Sequence, residues 1–192
     1  MPTGWILPAL ALAAILVHLA GPEVQEALRF EREAVLAGEL WRLLSAHLTH
    51  LGWPHTMWNA AALIVISLLF GRTISDLHWF YLTVICAVGV GIGLLALKPE
   101  IAVYVGFSGV LHGLFAAGAL TERHAHPGTS SLMLGLLGVK LVWEQFAGPL
   151  PGTEAAVGGL VLVDAHLYGA VLGIIGCVML HAVGNQRNIS PQ

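Results

Sequence analysis

Apolar residues gather along this chain into six runs separated by polar breaks, at about residues 5–20, 55–70, 79–97, 107–120, 132–147 and 156–183. A bilayer core takes about 20 mostly apolar helical residues to cross, so each run is a candidate membrane span. The first, Trp5 to Ala20, has no basic leading segment and five runs follow it, so it reads as a retained helix rather than a cleaved signal peptide. Gly71 and Arg72 stop the second run, and Lys98, Pro99 and Glu100 stop the third. The fourth is short and follows an irregular segment. It is therefore expected to begin inside the membrane, where non-helical backbone is tolerated only if protein shields it or water reaches it. Lys140 and Glu144 interrupt the fifth run, and Asp164 and His166 the sixth.

The longest connection, residues 21–54, divides in two. Its first half, Glu23 to Glu39, mixes charge with alanine and leucine as an interfacial helix would. Its second half, Trp41 to Trp53, is rich in tryptophan and histidine and reads as a segment partly embedded at the membrane boundary. An even number of spans would put both termini on one side. The cations do not choose that side, because Arg72, Arg123 and Arg187 fall with the termini and Arg29, Arg32, Arg42 and Lys98 fall opposite.

Composition agrees with the pattern. Hydrophobic residues make up 57% of the 192 positions and charged residues 10%, and mean hydropathy is +0.81; a soluble domain carries about a quarter charged residues. The fold class expected is all-α and polytopic. Eight Lys+Arg are scattered among eleven Asp+Glu for a net charge of -3, which offers no electrostatic footprint for nucleic acid. Thirteen of the 23 glycines lie not in a polar Gly/Ser tract but within the apolar runs, where they let helices approach closely. Cys86 and Cys177 sit in apolar stretches without a CxxC spacing and are expected as buried free thiols.

Polar residues inside apolar spans are costly and are candidates for function. His55 and Asn59, at i and i+4, share one face at the start of the second run, and both can donate hydrogen bonds to a developing oxyanion; the same pair could instead bind helix to helix. Ser108, between Gly106–Phe107 and Gly109, opens the short fourth helix, where small neighbours expose a nucleophile and its own N–H is unpaired; a helix N-cap is the alternative role. His166 is followed at i+3 and i+7 by Gly169 and Gly173, and the fourth run offers Gly109 and Gly113 as a matching small-residue face. Two such faces packed together would bring His166 to Ser108, within proton-transfer reach.

In this order along the chain, these features resemble the rhomboid family of intramembrane serine proteases. The resemblance is carried by Trp41–Arg42, His50, the HxxxN of His55 and Asn59, the GxSG of Gly106 to Gly109, and the AHxxGxxxG that begins at Ala165. It implies a six-transmembrane-helix rhomboid fold, one domain over 1–192 with a membrane-associated first loop. It also implies Ser108 as nucleophile and His166 as general base in a dyad without a carboxylate. Local geometry agrees on one point: Asp164 stands two residues before His166 and points about 200° away around the helix. His55, Asn59 and the Ser108 N–H would hold the oxyanion. Gly106, Gly109, Gly169 and Gly173 would support the site. The family also implies cytoplasmic termini and an active site open to the non-cytoplasmic face, without metal or other cofactor. Where many rhomboids carry an aromatic residue one turn after the serine, this chain has His112, expected to lie under His166 or to be a core histidine bonded to a carbonyl.

The Gly109 to Gly113 run, the stretch Lys140 to Gln145 and the Gly148 to Gly152 segment look like the rhombosortase subfamily. That narrower resemblance implies a bacterial inner-membrane enzyme cutting secreted proteins at a C-terminal tag made of a glycine-rich motif, a hydrophobic helix and a basic tail. The acyl group would pass to water or to an amine. Lys140 and Glu144, one turn apart, are expected to shape the substrate gate or contact the tag, or to form an ion pair facing the bundle. Competing classes are a metal or haem site built from His47, His50 and His55, against which stands the absence of HExxH and of nearby Cys ligands, a rhomboid protease with other single-span substrates, and a non-catalytic relative that binds membrane helices.

Overall fold

A computed structural model describes residues 4–187, and they are predominantly helical. The six apolar runs correspond to the six longest helices: α1 (Ile6–Leu19), α5 (Trp53–Phe70), α6 (Asp76–Leu97), α7 (Ser108–Glu122), α8 (Pro127–Ala147) and α10 (Val163–Arg187). Between α1 and α5 lie α2 (Pro22–Leu28), the strand β1 (Phe30–Glu31), α3 (Arg32–Leu36), α4 (Arg42–Ser45) and a 3-10 turn at Ala46–Leu48; β2 (Val103–Tyr104) precedes α7 and α9 (Thr153–Val157) precedes α10. By length and composition, Trp53–Phe70, Asp76–Leu97 and Val163–Leu180 can cross a membrane, and Ile6–Leu19 is a shorter apolar helix. The protein is a membrane protein of helical architecture.

α7 stands at the centre, packed on α5, α6, α8 and most extensively on α10. Its sequence explains that place. Gly109, Gly113, Ala116, Ala117, Gly118 and Ala119 are all buried, and side chains this small let other helices approach its backbone. A methyl group added at Gly169 would overlap the Gly109 carbonyl, and one at Gly173 would overlap the Gly113 carbonyl, so α7 and α10 meet backbone to backbone. Larger residues, among them Leu63, Phe70, Trp79, Leu82, Phe107, Val110 and Leu114, form the core around this contact.

Two expectations from the sequence are corrected. Residues 23–39 do not form one interfacial helix. The chain turns extended at Arg29, and Phe30–Glu31 pairs antiparallel with Val103–Tyr104, Phe30 facing Tyr104. The gain is visible in Arg32, whose guanidinium donates to the carbonyls of Leu94, Leu95, Lys98 and Ile101 at 2.6–2.9 Å. These lie at and just beyond the C-terminal end of α6, where helix carbonyls lack partners and a cation is favoured. Arg42 likewise donates to the carbonyls of Glu26 and Arg29, tying the first loop into a folded unit. The sixth run is also interrupted: α9 ends at Gly158, whose positive φ of 81° suits glycine, and α10 begins only at Val163.

Candidate active site

Gly106 prepares the approach to α7. Its φ of 114° lies where residues with a Cβ are strained, and a Cβ there would also meet the His55 ring. Its carbonyl accepts a hydrogen bond from the Tyr104 hydroxyl at 2.9 Å and faces His47 Nδ1 at 3.2 Å, while His47 Nε2 faces the Ala87 carbonyl at 3.0 Å. Burial lowers the His47 imidazole and raises the Tyr104 phenol from their usual ranges, so both are held neutral, and the single N–H of His47 donates to one of the two carbonyls it faces. Sequence reasoning missed both residues as supports of the turn. Their strict burial beside a glycine-rich turn becomes visible only in three dimensions.

Phe107 occupies the N-cap position and Ser108 is the first residue of α7, so Ser108 is not the cap. Its Oγ lies 3.0 Å from His166 Nε2, brought there by the close α7–α10 contact. His112, one turn below Ser108, stacks on His166 with ring centroids 4.1 Å apart and planes 15° apart. His112 Nδ1 also lies 2.7 Å from the Ser108 carbonyl, so both expected partners of this histidine are present at once.

The expectation of a dyad without a carboxylate is corrected. Glu144 Oε2 lies 3.0 Å from His166 Nδ1, and Lys140 Nζ joins Glu144 Oε1 at 2.6 Å to His112 Nε2 at 2.8 Å. The carboxylate comes from α8, not from the residues flanking His166: Asp164 points away and pairs with Lys98 at 2.9 Å. Lys140 and Glu144 also line the cavity described below while bonded to His112 and His166.

His55 and Asn59 on α5 face the same space. Leu51 N–H donates to His55 Nδ1 at 3.4 Å, which leaves the ring proton on Nε2. The Asn59 Nδ2 amide is buried and has no hydrogen-bond partner among the described residues. Buried donors are almost always paired, and this one borders the cavity described below, where an entering group can accept from it. His50 packs edge-on against the His55 ring at 4.9 Å.

His55, Asn59, Ser108, His112, Lys140, Glu144 and His166 all line a cavity of about 840 Å³ bordered by α5 and α8, reached also by Pro151, Gly152, Thr153 and Val157. Its other walls are apolar, including Trp58, Val65, Phe115, Met133 and Leu136. That shape and chemistry suit a hydrophobic chain with one polar segment placed at Ser108.

The histidines considered for a metal do not form a ligand set, since both His47 nitrogens face carbonyls. Among the described residues, His112, Glu144 and His166 have ligand atoms within 4.8 Å of one another. The Lys140 ammonium contacts two of these groups and supplies the positive charge that a cation would bring.

The family model for the rhomboid domain matches residues 37–183, which include every group described above. The chain belongs to the rhomboid family. Members of this family are generally intramembrane serine proteases, and the residues matched hold a serine, a histidine and the unpaired Asn59 amide around one cavity within a helical membrane protein. A comparison with curated proteins returned no match.

Proposed function

We propose that this rhomboid protein is an intramembrane serine endopeptidase. The observation that carries the reading is the 3.0 Å contact between Ser108 Oγ and His166 Nε2 at the wall of an apolar cavity that also receives Asn59. Ser108 Oγ attacks the scissile carbonyl carbon while its proton passes to His166 Nε2. Negative charge then develops on the carbonyl oxygen and is met by the Asn59 amide, His55 Nε2–H and the Ser108 N–H. Collapse breaks the C–N bond, and His166 returns the proton to the leaving amine. Water or an amine then gives a proton to His166 and attacks the acyl carbon, and the ester C–O bond breaks as His166 returns that proton to Ser108 Oγ.

The substrate class is a secreted bacterial protein anchored by one C-terminal hydrophobic helix with a glycine-glycine motif before it and a basic tail after it. The apolar cavity accommodates a hydrophobic chain, and the scissile segment has to leave helical geometry to reach Ser108. Glycine eases that step, since it costs a helix about 1 kcal/mol relative to alanine. The enzyme is placed in the inner membrane with six spans, both termini cytoplasmic and Ser108 open to the periplasm, and it works without a cofactor. The test is coexpression with a reporter carrying such a tag, read by intact mass. A shortened reporter with the unmutated enzyme and none with Ser108→Ala or His166→Ala is expected. A free carboxylate or an amine adduct in that mass identifies the acceptor. Cleavage that survives Ser108→Ala refutes the mechanism, and cleavage confined to untagged single-span proteins refutes the substrate class.

A further inference from the structure

The hydrogen bonds around Ser108 close into a ring with one self-consistent proton assignment. His112 Nδ1 faces a carbonyl oxygen, which can only accept, so Nδ1 carries the proton and Nε2 accepts from the Lys140 ammonium. Lys140 also donates to Glu144 Oε1. Glu144 Oε2 accepts from His166 Nδ1–H, which leaves His166 Nε2 as the acceptor for the Ser108 hydroxyl. The circuit therefore starts at the Ser108 carbonyl and ends at the Ser108 hydroxyl, fixing both histidine tautomers on the way. In particular it fixes the one tautomer in which His166 can take the serine proton.

Two members of this ring ride on α8, which is weakly seated. Its buried residues are Ser130, Leu137, Leu141 and Glu144, and a Cβ added at its Gly128, Gly135 or Gly138 would meet nothing within 4 Å. Leu137 and Leu141 pack on Ala116 and Ala170 of α7 and α10. Leu137, Lys140 and Glu144, with Met133 and Leu136, also border the cavity, which α5 lines with His55, Trp58 and Asn59. Residues 137, 140, 141 and 144 follow the i, i+3, i+4, i+7 spacing of one helix face, so the apolar seat and the polar pins engage or release together. The groups around the His166 ring are Glu144 and Lys140 from α8, His112 from α7 and His55 from α5.

We propose that Glu144 is the positioning residue of His166 and that, because α8 carries it, the histidine is set for proton transfer only while α8 rests against α7 and α10. The inference rests on the protease reading above and adds to it. A substrate segment that pushed α8 outward would disarm His166, so cleavage proceeds with the segment unwound into the cavity and α8 closed over it. Glu144→Gln tests the first half. An amide has one acceptor oxygen, so its NH2 group opposes either the Lys140 ammonium or the His166 Nδ1–H; the second orientation reverses the tautomer needed for proton transfer, and both remove the negative charge that favours the imidazolium.

The assay is single-turnover labelling of the purified full-length protein by an alkyl fluorophosphonate, a probe small enough to reach Ser108 without a substrate helix. Expected for Glu144→Gln is a fall in the maximal labelling rate of roughly 10²–10⁴-fold with little change in the probe's half-saturating concentration, partly restored by Glu144→Asp. Lys140→Met leaves the carboxylate on His166 and should fall less. Leu141→Ala, which loosens the seat without touching the ring, should lower the rate by about tenfold, whereas Phe146→Ala on the exposed face should not. A rate for Glu144→Gln within about threefold of the unmutated protein overturns the positioning role, and an unchanged rate for Leu141→Ala overturns the dependence on α8. Labelling that persists in Ser108→Ala would instead refute the protease reading itself.

Discussion

Replacing Gly169 by alanine separates a catalytic geometry set by helix packing from one that is not. The added methyl group would overlap the Gly109 carbonyl on the facing helix, and a backbone oxygen cannot rotate away as a side-chain tip can. Restoring an ordinary contact requires α7 and α10 to part by roughly 1.5 Å, and overpacking of this kind costs about 1–3 kcal/mol. His166 lies less than one turn before Gly169 and Ser108 is adjacent to Gly109, so the displacement falls directly on the 3.0 Å contact between them. A misplacement of about 1 Å lowers turnover roughly 10²-fold. We therefore expect Gly169→Ala to keep its helical content, lose a few degrees of thermal stability and lose about two orders of magnitude in kcat/KM against a tagged reporter in proteoliposomes. Gly135→Ala is the control, because nothing stands within 4 Å of a Cβ there, and it should retain full activity and gain up to about 1 kcal/mol from helix propensity. Activity of Gly169→Ala within about threefold of the unmutated enzyme would refute the argument that the glycine faces set the distance.

Two further outcomes follow from single side chains. Asn59→Ala removes the buried amide donor that lacks a partner among the described residues, so kcat should fall roughly 10²–10³-fold with KM nearly unchanged; a loss confined to KM would show that Asn59 binds the substrate rather than the oxyanion. His50, buried in the connection before α5, has its pKa lowered to about 3 by burial, with the neighbouring His55, His18 and His47 adding to the effect. The unfolded chain binds this proton below about pH 6.5 and the folded chain does not, so stability is complete above pH 6.5 and falls as the pH drops toward 3. At pH 5 the loss is about 2 kcal/mol, and the detergent-solubilised protein should melt lower there than at pH 8 by a margin that shrinks in His50→Gln. Equal margins in the two proteins would refute this assignment.

The parts of the site that could be read from the sequence are those governed by the geometry of one helix. His55 and Asn59 share a face because they are one turn apart, and Gly169 and Gly173 follow His166 at spacings that mark the face it presents. The fold was legible to the same extent, since the apolar runs found the long helices. The breaks were less visible. Phe30–Glu31 is too short to show a strand pattern, and its pairing is settled by Val103–Tyr104 more than 70 residues away. The split between α9 and α10 rests on residues 158–162, where a glycine with positive φ interrupts an apolar composition that otherwise continues.

Glu144 shows where such reasoning stops. The rotation of Asp164 away from His166 follows from 100° per residue and excludes only carboxylates on the same helix. Whether a carboxylate on another helix reaches His166 depends on the axial register of α8 against α10, and single-helix periodicity contains no information about register. What the sequence did contain was a cost: a lysine and a glutamate one turn apart in an apolar run require partners beyond each other. Those partners are His112 and His166, and the replacement of an aromatic residue by His112 follows from the same requirement. An aromatic ring could stack on His166 but could not accept from Lys140, whereas an imidazole does both. Lys140, Glu144 and His112 are thus one device, and substituting any one of them removes a hydrogen bond that holds another.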